Sequence, residues 1–283
     1  MNAAAGYHRP AVSDRRTRVA NLVVLVLALV VVGSFLDGGW RGLAAVLLLA
    51  VTVFGSLQVL GEHEPSGVPI EGLMTPAVGA VAVFGAVPLL EALGVGSPIP
   101  ALVLAVGGGA PLLVEVLTVE ARLLATPGPA APRDRLLVEL LSLVFAFLVF
   151  GGVAASVPCG LPAASGGARE PLQGEALLGL AVADALAGFL LGYRLTALRV
   201  PVAIEAIWAG GTYAAVIGGA AALLWTLALP GLLGPAVLTG LLYLWIVYRG
   251  STGAQRREAR WLWEYAVLAV ALIAVVAWYA FAR

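Results

Sequence analysis

Apolar residues run almost without interruption along this chain, in nine stretches of about 18 to 27 residues divided by short polar, glycine-rich or proline-rich breaks. Lipid offers backbone amides no partner, so stretches of this length are expected to satisfy themselves as membrane-crossing helices. The predicted spans are 19–36, 42–60, 73–94, 98–119, 135–157, 175–194, 202–228, 231–249 and 262–281. Turn chemistry marks the breaks: Asp37-Gly38-Gly39 and Gly96-Ser97-Pro98 in short connections, Thr126-Pro127-Gly128-Pro129 and Ser165-Gly166-Gly167 in longer ones, Pro230-Gly231 between the seventh and eighth spans. The pattern predicts an all-α, polytopic integral membrane helix bundle.

Composition agrees. Hydrophobic residues make up 61% of the 283-residue chain and charged residues 11%, against about 25% charged in soluble proteins. The mean hydropathy is +1.01. The chain is therefore expected to divide into a cytoplasmic tail, 1–18, and a single transmembrane helical domain, 19–283. The first apolar run, Val19 to Leu36, is longer than a signal-peptide core and has no clear small-x-small cleavage site, so it reads as the first span.

Arginine placement orients the bundle, because short cytoplasmic loops retain positive charge. All 16 basic residues are arginine. With the N-terminus inside, Arg9, Arg15, Arg16, Arg18, Arg122, Arg133, Arg135, Arg194, Arg199, Arg249, Arg256, Arg257 and Arg260 fall on the inner side. Only Arg41, Arg169 and Arg283 fall outside. Losing or adding one span midway would spoil this asymmetry, so charge supports an odd number of crossings, with the C-terminus outside. The expected location is a prokaryotic cytoplasmic membrane. Trp261, Trp263 and Tyr265 open the last span and Trp278, Tyr279 and Phe281 close it, the spacing of two interfacial girdles.

Helices in lipid associate through close backbone approach at small residues. The seventh span carries two such rows, Gly210, Ala214, Gly218 and Gly211, Ala215, Gly219, and the sixth carries Ala181, Ala185, Gly188 and Gly192. Both rows of the seventh span are expected to form a broad packing face.

Polar groups at membrane depth are the candidate chemistry. Asp184 sits midway along the sixth span. A central Asp costs about 2.5–3.5 kcal/mol on insertion scales, while eight Leu, Val and Phe residues between Ala176 and Tyr193 offset roughly 2.4–4.8 kcal/mol. This helix needs its neighbours. At the centre of the fourth span, Gly107, Gly108, Gly109, Ala110 and Pro111 predict a kink or unwound stretch of the kind that lines transporter sites. Tyr213, at similar depth in the seventh span, is a candidate hydrogen-bond donor to Asp184. Asp184, Gly107, Gly108, Gly109, Pro111 and Tyr213 thus form one candidate midplane site, read either as a protonatable coupling site or as a structural tie between helices.

A second candidate group lies toward the inner face. Glu115, Glu139, Arg194 and Glu205 head it, with Glu120, Arg122, Arg135 and Arg199 close by, and a structural layer of ion pairs competes with a substrate site. Arg122, Arg133 and Arg135 also offer an anionic-lipid contact.

The chain lacks most recognisable chemistry. His8 and His63 lie in the tail and a loop, and Glu62-His63-Glu64-Pro65 does not have HExxH spacing. Without lysine there is no Walker phosphate loop and no Schiff base. Ser142 has no histidine at comparable depth to activate it, and Cys159, the single cysteine, has no resolving partner. Zero net charge gives no argument for nucleic acid.

Neither cofactor nor metal is expected. The expected partners are membrane lipids and other membrane proteins, with no nucleic acid or nucleotide. The leading expectation is a non-catalytic structural, assembly or lipid-contacting component. The alternatives are a small proton-coupled permease using Asp184, and an inner-interface enzyme on a lipid substrate using Glu115, Glu139 and Glu205.

Overall fold

The computed structural model describes residues 12–37, 39–61, 69–95, 98–125, 131–157, 160–161, 172, 174–200, 202–227, 229 and 231–281. Among them every regular element is helical: α1 (Val12–Ser34), α2 (Gly39–Gly61), α3 (Glu71–Ala92), α4 (Pro98–Ala125), α5 (Pro132–Ser156), α6 (Gly174–Ala197), α7 (Ala203–Thr226), α8 (Leu233–Gly250) and α9 (Ala259–Phe281), with a 3₁₀ turn at Gln255–Arg257. All nine α-helices are long and apolar enough to cross a membrane. The protein is an all-helical integral membrane protein.

Helix α3 is the centre of the bundle. It is buried along most of its length, and its side chains enter both large apolar clusters: one with α1, α2 and α4, the other with α5, α6, α7 and α8. Close approach at glycine makes this possible. Gly85 of α3 packs directly on the Gly152 backbone of α5, and Gly79 lies under the Phe145 ring, so α3 and α5 run parallel in tight register. Pro76 and Pro88 sit inside α3 without ending it. In hydrocarbon a broken helix leaves backbone groups with nothing to bond, so the rest of the helix holds.

Helices α6 and α7 form the most extensive pair. A methyl added at Gly188 would lie 3.1 Å from Ile217 Cβ, and one at Gly192 would overlap the Tyr213 ring, fixing an antiparallel register in steps of four residues. One small-residue row of α7 serves this contact: Gly210 meets Phe189 and Gly218 meets Ala185. The other row does not. Gly211, Ala215 and Gly219 are exposed, and nothing lies within 4 Å of a methyl built at Gly211 or Gly219, which corrects the expectation of a broad two-row face.

Helix α1 is described from Val12, so the arginine-bearing segment is helical ahead of the apolar part. One further expectation changes. Helix α4 is continuous through Gly107 to Pro111. Gly107 and Gly108 are exposed, Pro111 is exposed, and Gly109 instead allows close approach to Val83 of α3. Helix α9 stands apart: none of its described side chains is buried, and it leans on α8 through Leu272 against Gly240 and Tyr265 against Tyr248. The readings of His8, Glu62, His63, Glu64 and Cys159 fall outside the described residues.

Candidate functional site

Asp184 lies halfway along α6 and is fully buried. Its Oδ2 accepts a hydrogen bond from Trp225 Nε1 at 2.9 Å. The register explains the partner. Gly192 faces Tyr213 and Gly188 faces Ile217, so the next step sets Asp184 opposite Ala221, a residue too small to fill the space. Side chains on a helix lean toward its N-terminus. Across an antiparallel pair Asp184 and Trp225, one turn beyond Ala221, therefore lean toward each other. The indole is itself buried and rests against Gly234 at the start of α8, so three helices meet at this one polar contact. Asp184 Oδ1 has no hydrogen-bond partner among the described residues.

The other members of the expected midplane group do not join it. Tyr213 is buried against Gly192. It lies two register steps from Asp184, and the same N-terminal lean carries its hydroxyl further away. The backbones of α4 and α6 nowhere come within 8 Å between Cα atoms, so Gly107, Gly108, Gly109 and Pro111 lie apart from Asp184. Trp225 went unnoticed in the sequence, where it reads as an interfacial aromatic near a helix end. A buried acid opposite a small residue, with a Trp one turn further, is the signal that finds it once register is known.

The arginine-rich end of the bundle carries a layer of ion pairs. At its heart Arg194 of α6 holds Glu120 of α4 with both forks of the guanidinium: Nε donates to Oε1 at 3.0 Å, and Nη2 donates to Oε2. Both residues are buried, Glu120 fully, with Thr75 of α3 beside the carboxylate. Bidentate geometry is what an ion pair requires to offset its desolvation. Around it the pairs are more exposed. Glu139 accepts from Arg199 at 2.6 Å and from Arg135 at 3.4 Å, Arg122 reaches Glu115 at 3.5 Å and Asp134 at 3.3 Å, and the Tyr193 hydroxyl donates to Glu71 at 3.2 Å. Arg15 Nη2 caps the Ala121 carbonyl at 3.1 Å.

Of the expected inner-face group, Arg194 is therefore engaged with Glu120, and Glu115 and Glu139 are held by different arginines. Glu205 is exposed on α7, a helix whose backbone touches only α6 and α8. The carboxylates of Glu115, Glu139 and Glu205 do not converge. Ser142 is fully buried and its hydroxyl has no partner among the described residues. No three His, Cys, Asp or Glu side chains gather as metal ligands among the described residues. Comparison of the chain with protein-family models, with curated proteins and with solved structures returns no match.

Proposed function

We propose that this membrane protein is a component without catalytic chemistry of its own, which contacts lipid and helps to assemble neighbouring membrane proteins. The observation that carries this reading is the pairing of the acids that lie within the bundle. Asp184 is tied to Trp225, Glu120 to Arg194 and Glu139 to Arg199, each joining two helices, and no group of three acids, histidines or cysteines that could share a cation gathers among the described residues. Helix α9 supports the assembly role. Its Trp263 and Trp278 are each 72% exposed, so a whole apolar helix with aromatic ends is available to lipid or to a partner span. The arginine bias further supports an N-terminus inside and a C-terminus outside.

Reconstitution into liposomes loaded with a pH-sensitive dye tests the proposal. Proton leak with the protein present should equal that of empty liposomes, and Asp184→Asn should not change it. A second reading, a proton-coupled permease, is favoured by one observation, the buried Asp184 Oδ1 that no described group bonds. Proton uptake that appears with the protein and disappears with Asp184→Asn would establish the second reading and sink the first.

A further inference from the structure

At the end of the bundle opposite the arginine-rich layer, a cleft of about 460 Å³ opens between α2 and α6. Those two helices form its walls, with no Cα atoms within 8 Å of each other, and the tight α3 and α5 crossing at Gly85 and Gly152 forms its floor. The volume lies within the range of small-molecule sites, about 300–1,000 Å³. The lining is mainly apolar, with Ala45, Phe84, Val149 and Leu180 among it, and each wall carries a glycine. Methyls built at Gly42 and Gly179 meet nothing within 4 Å, so both glycines leave the cleft wide where a side chain would narrow it.

Two charges stand at its mouth. Arg41 is in the first turn of α2 and Glu175 in the first turn of α6, so an opposite charge tops each wall, at the level where a membrane helix enters the headgroup layer. They do not pair with each other, and neither has an ion-pair partner among the described residues. Arg41 Nε is buried and has no hydrogen-bond partner among the described residues. Buried donors without acceptors are costly, and a ligand oxygen removes that cost.

We infer that this cleft binds a zwitterionic phospholipid of the phosphatidylethanolamine type, with its phosphate on Arg41, its ammonium on Glu175 and an acyl chain along the glycine walls. Each part of the lipid meets its chemical complement: guanidinium takes phosphate oxygens by paired N–H donors, a carboxylate accepts from the primary ammonium, and the apolar trough takes hydrocarbon. Phosphatidylglycerol has the same phosphate but no ammonium, so Glu175 is left without a counter-charge. A choline headgroup has no N–H to donate. This site deepens the lipid-contacting part of the proposed function and rests on it. The liposome proton assay does not involve the cleft, so the two can fail separately.

Native mass spectrometry of the full chain, released from detergent containing equal amounts of phosphatidylethanolamine, phosphatidylcholine and phosphatidylglycerol, tests it. Phosphatidylethanolamine should be retained in preference to both others. Arg41→Gln and Glu175→Gln should each weaken its retention roughly tenfold, the effect of losing one charge-assisted hydrogen bond. Gly179→Leu, which has open space to occupy, should abolish retention while leaving the melting temperature of the delipidated protein unchanged. Equal retention of the three lipids by the native chain, or undiminished retention in Glu175→Gln or Gly179→Leu, would overturn the inference. Stabilisation by soluble phosphoethanolamine equal to that by the lipid would also overturn it, since the occupant would then be a soluble zwitterion.

Discussion

Trp225 Nε1 and Asp184 Oδ2 lie 2.9 Å apart across the α6 and α7 contact, and this bond joins the midpoint of one helix to the far end of the next. Removing only the donor strands a buried acid. Trp225→Phe is therefore expected to cost about 1–3 kcal/mol or more of stability, whereas Asp184→Leu combined with Trp225→Phe should cost less than Trp225→Phe alone. A double-mutant cycle on thermal unfolding in detergent measures the difference. A double variant less stable than Trp225→Phe would show that the bond matters little to the helix pair.

The Glu120 and Arg194 pair is the other buried tie, between α4 and α6. Glu120→Gln and Arg194→Leu should each destabilise by roughly 3–5 kcal/mol, because each leaves a charge buried without its counter-charge. Replacing both by leucine should recover much of that loss. By contrast, Arg260→Ala, which breaks the exposed pair with Glu264 at 2.8 Å, should leave stability essentially unchanged. Denaturant unfolding monitored by circular dichroism separates these outcomes.

Glycine substitutions distinguish the packed row of α7 and its partner from the open one. Gly188→Leu pushes a large side chain into Ile217 and should lower the melting temperature by several degrees. Gly211→Leu enters open space and should cause no loss. Equal losses at the two positions would mean that α7 presents its other face to α6.

Helix α9 contributes nothing buried to the core. Replacing Leu272 by Ala, which removes its contact with Gly240, should therefore leave unfolding of the remaining bundle within about 0.5 kcal/mol of the native value. If α9 receives a partner span as proposed, Trp263→Ala and Trp278→Ala should weaken that association without changing stability. Chemical cross-linking in the membrane, read alongside melting, reports both quantities.

Long apolar runs make the spans readable from the chain because hydrocarbon leaves a backbone one solution, and the proline-glycine breaks give their limits. The same constraint explains why Gly107 to Pro111 stay helical. Those residues weaken a helix in water, yet at membrane depth the surrounding turns hold it together. Asp184 stood out in the sequence as a costly residue at the centre of a span, but its partner did not. Two equivalent small-residue rows on α7 permit two faces toward α6, and only packing selects the row of Gly210 and Gly218, which turns Trp225 inward to Asp184 and seats Tyr213 against Gly192 instead. Charge pairs were legible as a layer but not as pairs. Glu120 and Arg194 lie 74 positions apart in the chain, and their meeting depends on α3 holding α4 and α6 at the right distance.

The whole account depends on nine crossings that leave the two ends of the chain on opposite faces of the membrane. Reporter fusions at each terminus, one fluorescent only in the cytoplasm and one enzymatically active only outside it, measure this directly. A cytoplasmic signal is expected at the N-terminus and an external signal at the C-terminus. The same signal at both ends would contradict it.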